Sequence, residues 1–261
     1  MAVQFSPVVA VPTQGDGYPF ISRSLDIGQL GRLASPILMC DEGHVRGRPF
    51  SPHPHAGFSA VSYLFEDSQA ELCTRDSVGN DVVTSPGGMV WTQAGSGLVH
   101  EEMADTPDGD MHMVQMFVNL PRDGKLAPPL VYHLDRGEVP EWRGGAGDRV
   151  RVLVGSLDCK SSRLAAAQPF RFLDARLRSE ISLGLADGRN AVVYVMSGTV
   201  AVRTERGERQ LAAGHAFAMG GDGTRVTLTA SEAAHMLVLS GAEIDDAMAR
   251  YRTGRMGQLA R

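Results

Sequence analysis

The chain has 261 residues, of which 43% are hydrophobic and 21% charged, and a formal net charge of −5. That length predicts two domains of roughly 100–150 residues each, and the composition excludes a disordered chain. An acidic balance without any Lys/Arg run excludes direct nucleic-acid binding through a basic face, because such affinity comes mainly from neutralising phosphates.

The first stretch, "MAVQFSPVVAVPTQGDG", has no charged segment ahead of an apolar one. No apolar run approaches the ~18 residues that cross a bilayer, so a soluble, cytoplasmic monomer is expected. A short helical turn is expected within 24–31. Beyond it, runs of Val, Tyr, Phe and Thr lie between Gly/Pro/Asp/Asn clusters, which reads as mostly β. The predicted strands are "AVSYLFE", "GMVWTQA", "HMVQMFVNL", "RVRVLVG", "AVVYVMS", "TVAVRTE", "HAFAMG" and "RVTLTA". Short strands at regular spacing predict an all-β barrel or sandwich. "LDRGEVPEWRGGAGD" has no periodicity and supplies a linker, giving a first domain over 1–135, a linker over 136–148 and a second domain over 149–261. "GAEIDDAMARYR" predicts a C-terminal helix, with Ile244, Met248 and Tyr251 at helical spacing.

An internal repeat supports that division. "AVSYLFED" at 60–67 resembles "AVVYVMSG" at 191–198, and "TSPGGMVWT" at 84–92 resembles "LAAGHAFAM" at 211–219.

Two short motifs carry chemistry. In a strand, residues i and i+2 share a face. "SPHPHAGFSA" places His53 and His55 in that relation, and "GLVHEEM" does the same for His100 and Glu102. If the two strands are neighbours, three imidazoles and one carboxylate converge. Nitrogen and oxygen donors without thiolate suit one divalent ion, Fe(II), Mn, Co, Ni, Cu or Zn, rather than Ca or Mg. Four protein ligands on an octahedral ion leave two positions open for water, O2 or substrate. Aligning the repeat places Gly184, Ala186, Thr227 and Thr229 where the first copy has these four, so the second copy lacks the set and the fold does not demand it. His44, His112, His133, His215 and His235 are read as ordinary surface or hydrogen-bonded residues, although His112 shares a barrel strand and could line the cavity. Glu101 should point opposite to Glu102. Trp91 and Phe117 read as core, either of them able to wall an apolar pocket. Cys40, Cys73 and Cys159 are scattered and odd in number, so no disulfide framework is implied, and Cys73 reads as a buried structural thiol.

With "GDGYPF", "SPILMCDE", "HPHAGF", "YLFED", "TRDSVGN", "SPGGMVWTQAGSGLVHEEM", "MVQMFVNLP" and "YVMSGTV", most of the chain resembles the pirin family of bicupins. The resemblance implies two cupin barrels (double-stranded β-helix, jelly-roll), with one metal ion in the first. It implies that His53, His55, His100 and Glu102 hold that ion, usually Fe(II). It further implies a quercetin 2,3-dioxygenase that cleaves a flavonol with O2, in which Glu102, the one carboxylate of the set, is the general base. The alternative the family offers is a metal- and redox-switched regulatory protein with a protein partner. The sequence departs from the family's "HPHRGFET": Ala56 stands for an arginine and Ser59 for a glutamate, so a charged pair expected beside the metal is lost.

Overall fold

Alternation along the strands decides the architecture. In Phe58–Leu64, Leu64 enters a small cluster with Met111 and Met113, whereas Val61 and Tyr63 enter a large one. That large cluster also holds Phe172, Tyr194 and Leu237 from the second half of the chain. Each long sheet therefore turns one face into its own barrel and the other onto the opposite barrel. The computed structural model describes residues 3–15, 19–221, 223–242 and 244.

In the first barrel a seven-stranded sheet runs in the order Leu130–Leu134, Met89–Gln93, Phe58–Leu64, Asp110–Asn119, Ile37–Arg46, Phe20–Ser24, Thr13–Gln14. It faces a four-stranded sheet ordered Phe50–His55, Leu98–Ala104, Leu72–Asp76, Asp81–Thr84. The second barrel repeats the plan. Its large sheet contains His215–Gly221, Arg189–Ser197, Ala234–Ala242, Phe170–Leu177 and Arg149–Val154, facing the four strands Glu180–Leu185, Thr224–Ala230, Thr199–Thr204 and Gly207–Ala212. The chain is thus an all-β pair of cupin barrels. All eight predicted strands are present.

The helical turn expected within 24–31 is Ile27–Leu30, whose first turn is capped by the Asp26 carboxylate accepting from Gln29 N at 2.9 Å. Most of the expected C-terminal helix lies outside the described residues, and its first two residues end the strand Ala234–Ala242. Within 136–148 the chain forms the turn Arg136–Glu138, the strand Glu141–Arg143 and the turn Gly145–Gly147, and that strand pairs with Arg149–Val154. The strands Gln4–Phe5 and Val9–Ala10 pair with His215–Gly221, so the start of the chain is hydrogen-bonded to the second barrel. Among the described residues no helix is long and apolar enough to cross a membrane.

The contact between the barrels is reciprocal. Tyr63 stands opposite Val114, which stands opposite Glu42; Tyr194 stands opposite Leu237, which stands opposite Asp174. Each tyrosine crosses to the other barrel's acid. Tyr63 donates to Asp174 at 2.6 Å, and Tyr194 donates to Glu42 at 3.0 Å. Each acid also holds a histidine of its own barrel, His235 at 2.6 Å from Asp174 and His112 at 2.9 Å from Glu42. The duplication therefore kept a self-complementary interface like that of a two-fold dimer.

His112 is thereby removed from the cavity it could have lined. It lies on the strand Asp110–Asn119, but its face is opposite to that of Met113, Gln115 and Phe117. Trp91 is also committed to the interface: its ring centroid is 5.7 Å from that of Phe170 in the second barrel.

Candidate metal centre

Register brings the two motifs together. Phe50–His55 pairs antiparallel with Leu98–Ala104, with His53 directly opposite His100 and His55 opposite Leu98. Side chains opposite each other on adjacent strands stand close enough to touch. His53 Nε2 lies 3.0 Å from His55 Nε2 and 3.2 Å from His100 Nε2, and one nitrogen from each ring falls within 4.8 Å of the others. For metal–nitrogen bonds of about 2.1 Å, neighbouring ligands at right angles are separated by about 3 Å, so this spacing fits three imidazoles on one ion.

The rings are prepared for that role. His53 Nδ1 is 2.7 Å from the Ser51 carbonyl, to which it donates, leaving the Nε2 lone pair aimed into the cluster. Burial, and then the neighbouring rings, lowers His55 and His100 to about 4, so both are neutral donors near pH 7. Phe58 and Phe117 pack on His55 with ring centroids at 5.1 and 5.2 Å. Phe117, half-buried, thus walls the site as well as filling the barrel.

Glu102 shares the inward face of its strand with His100 and is 1% exposed. It is not part of the three-histidine group. Its Oε1 instead lies 2.6 Å from Ser62 Oγ, while its buried Oε2 has no partner. Ser62 Oγ is also 2.8 Å from Gln115 Oε1. One hydroxyl proton cannot serve two acceptors; with Ser62 donating to Glu102, the second contact is satisfied by the Gln115 amide turned so that its NH2 donates to Ser62. Burial pushes Glu102 up to about 7, against the pull of the Ser62 hydroxyl that donates to its ionised form.

Glu101 points the other way, as expected, onto Arg48 and Arg75 at 3.2 and 2.5 Å. Cys73 is part-buried, and burial with the surrounding carboxylates raises its thiol. Ser59 corrects one expectation. It sits three residues from Ser62 on the same strand and so on the opposite face, with a buried, unpartnered hydroxyl. Ala56 is exposed. The altered pair therefore does not flank the histidines from inside the barrel.

Ser62, Gln115 and Asp41 were not singled out from the sequence. The available signal was a polar residue inside each apolar strand run, "AVSYL" and "MVQMF". His53, Gln115 and Asp41 line a cavity of about 390 Å³, otherwise walled largely by Phe50, Met39, Met113 and Phe117.

The second barrel shows what the fold does without a site. Val226 stands opposite Leu183 and Thr224 opposite Leu185, the register that His100–His53 and Leu98–His55 occupy in the first barrel. The equivalents of His53, His55, His100 and Glu102 are therefore Leu183, Leu185, Val226 and Leu228. All four are in the core, and about 10 Å³ of space remains beside them. The sequence alignment to Gly184, Ala186, Thr227 and Thr229 was one residue out of step, which moves every position to the other face. We expect one divalent ion per chain by metal analysis; two would contradict this.

Residues 29–118 match the pirin family, and residues 172–253 match the pirin C-terminal cupin domain. This chain belongs to the pirin family. It is 31% identical over 254 residues to a Pseudomonas aeruginosa protein named "Putative quercetin 2,3-dioxygenase", covering 91% of this chain and 85% of that one. The solved quercetin 2,3-dioxygenase of Acinetobacter baumannii superposes with a TM-score of 0.79 at 23% identity over 100% of both chains. A bacterial pirin of Escherichia coli, solved in complex with nickel(II), superposes at 0.68 with 17% identity, covering 93% of this chain and 100% of that one. At those identities the two solved structures speak for the bicupin fold.

Proposed function

We propose that this pirin-family protein is a metal-dependent dioxygenase that cleaves a flavonol with O2, with Fe(II) held by His53, His55, His100 and Glu102. The observation that carries the reading is the crowding of three imidazole nitrogens, those of His55 and His100 in rings kept neutral by burial, on a sheet face that also carries a buried Glu102 carboxyl oxygen without a partner. Relatives support it: one is named for this activity, and another was solved with a divalent ion. A bound ion supplies Lewis acidity to a flavonol hydroxyl and a place for O2.

The chain's own groups do the rest. Glu102, the one carboxylate of the set, would take the hydroxyl proton as general base. Ser62 holds Oε1 and fixes the orientation of the carboxylate. Phe50, Phe117 and Met113 wall a cavity of about 390 Å³, with room for a flat aromatic ring.

The test is aerobic turnover of iron-loaded protein with quercetin and related flavonols, followed by O2 consumption. Product above the metal-free control is expected, and none with any flavonol overturns the assignment. Glu102→Gln should lower the rate by about 10²–10⁴-fold, the usual worth of a positioned base. Unchanged rate with metal retained removes that role.

Proton release gives a separate check. At saturating metal and pH 6, the wild type should release about one proton more per ion than Glu102→Gln, because Glu102 is largely protonated below about 7 before the ion binds. Equal release would show that Glu102 does not ionise on metal binding.

A further inference from the structure

One row of the first barrel's large sheet is polar in a wall that is otherwise apolar. Ser62 stands opposite Gln115, Gln115 opposite Asp41, and Asp41 opposite Ser24, on four successive strands. Asp41 and Gln115 both line the cavity that His53 lines. Ser62 closes the row against Glu102 at 2.6 Å. Strands are about 4.8 Å apart, so Asp41 stands about 10 Å along the sheet from Ser62, roughly the length of two linked aromatic rings.

The fold does not require this polarity. By register, the second barrel's counterparts of Ser62, Gln115 and Asp41 are Val193, Val238 and Leu173, all within its core. The adjacent Glu42 differs from Asp41, because its carboxylate is occupied by His112, Tyr194 and Arg23 at 2.9, 3.0 and 3.2 Å. The Asp41 carboxylate is part-buried on the cavity side. Burial raises its pKa, with the Ser24 hydroxyl pulling the other way. Beyond their bonds to Ser24 and Ser62, the remaining polar atoms of Asp41 and Gln115 face the cavity, where a ligand can use them.

We propose that Asp41 and Gln115 form a recognition row that selects planar aromatic chelators bearing a phenolic hydroxyl remote from their chelating oxygens. The remote hydroxyl donates to the Asp41 carboxylate. The Gln115 amide, which can both donate and accept, lies between that end and the metal end. A ligand without the hydroxyl covers the Asp41 carboxylate and leaves it with Ser24 as its hydrogen-bond partner in place of water, and a site built for a hydroxyl rejects such an analogue. This specificity rests on the dioxygenase reading for its substrate class, but not for its evidence of binding.

The experiment measures dissociation constants, without O2, for quercetin and 3-hydroxyflavone on nickel-loaded protein. The two share the 3-hydroxyl and 4-carbonyl; quercetin adds a 5-hydroxyl, a 7-hydroxyl and a catechol, so the collapse of the preference in the Asp41 and Gln115 variants is what assigns it to the row. The wild type should prefer quercetin by about tenfold or more, equivalent to one charged hydrogen bond. Asp41→Leu and Gln115→Leu should bring the ratio close to one, with metal content and thermal midpoint recorded as folding checks. Asp41→Asn, similar in shape, should lower the ratio at least threefold and serves if the leucine variant does not fold. A wild-type ratio near one, or a ratio unchanged by either Asp41 variant, overturns the row.

Turnover of iron-loaded protein with O2 is scored separately. Turnover with no preference overturns the row and keeps the dioxygenase. Preference that collapses in the variants, without turnover, keeps the row and overturns the dioxygenase. Failure of both flavonols to bind the wild type overturns both.

Discussion

Replacing His100 by alanine should strip the protein of its ion and reduce flavonol turnover to the metal-free background. His100 is 2% exposed and stands opposite His53, so alanine there removes one of the three clustered imidazoles from the inside of the barrel. Even a residue that only orients a ligand costs about 10–100-fold in metal affinity when lost, and removal of a ligand should cost more. The fold should survive, because His100 Nδ1 is buried without a partner and its loss breaks no other bond of that atom. His215→Ala, on the second barrel, is the control and should retain metal. Dialysis against trace metal followed by elemental analysis reads the result. Full retention in His100→Ala would show that the ion sits elsewhere.

The largest stability loss should come from the barrel interface, not the metal site. Asp174→Ala leaves Tyr63, His235 and Arg151 without the acid around which they are arranged; Arg151 itself donates to Tyr63 at 2.9 Å. Removing one member of a buried charged network costs about 3–5 kcal/mol. In a chain of this size that lowers the thermal midpoint by roughly 10 °C. Tyr63→Phe removes two hydrogen bonds with charged groups, the one to Asp174 and the one from Arg151, and should cost at least about 1.5–3 kcal/mol, the worth of one such bond. Burial would raise Asp174, but its bonds to His235 and Tyr63 outweigh burial and hold it below the usual carboxylate range. An acid with a lowered pKa stabilises the fold above its unfolded value of about 4, and that contribution disappears as pH falls further. The gap between wild type and Asp174→Ala should therefore narrow below about pH 4. A gap independent of pH in chemical denaturation would contradict this.

The site was legible because it has a period of two. H-x-H and H-x-E each place a pair on one face, and paired strands bring the pairs together. The eight predicted strand runs were equally plain. Ile37–Arg46 was not, because "CDEGH" interrupts its apolar pattern. The interruption has a cause: Asp41 faces the cavity and Glu42 faces the second barrel, so both faces of the strand are polar. Phe170–Leu177 hides for a related reason, since Asp174 belongs to the interface.

No local pattern announces the interface. Tyr63 and Asp174 are 111 residues apart, and Tyr194 and Glu42 are 152 apart. The repeat did align Tyr63 with Tyr194, but not the acids they reach. It also slipped by one residue over the metal motifs, because the loops between equivalent strands differ in length. The resting place of Glu102 was invisible for a different reason: sequence spacing gives its face, and only the packed barrel gives Ser62 as its neighbour.

A four-ligand centre requires Glu102 to join the three imidazoles when the ion is present. The direct measurement is an anomalous-difference map from a crystal soaked in nickel(II). A single peak per chain is predicted, within bonding distance of Nε2 of His53, His55 and His100 and of a Glu102 carboxylate oxygen. A peak elsewhere, or one on the histidines with Glu102 still held away from it, would contradict the four-ligand centre.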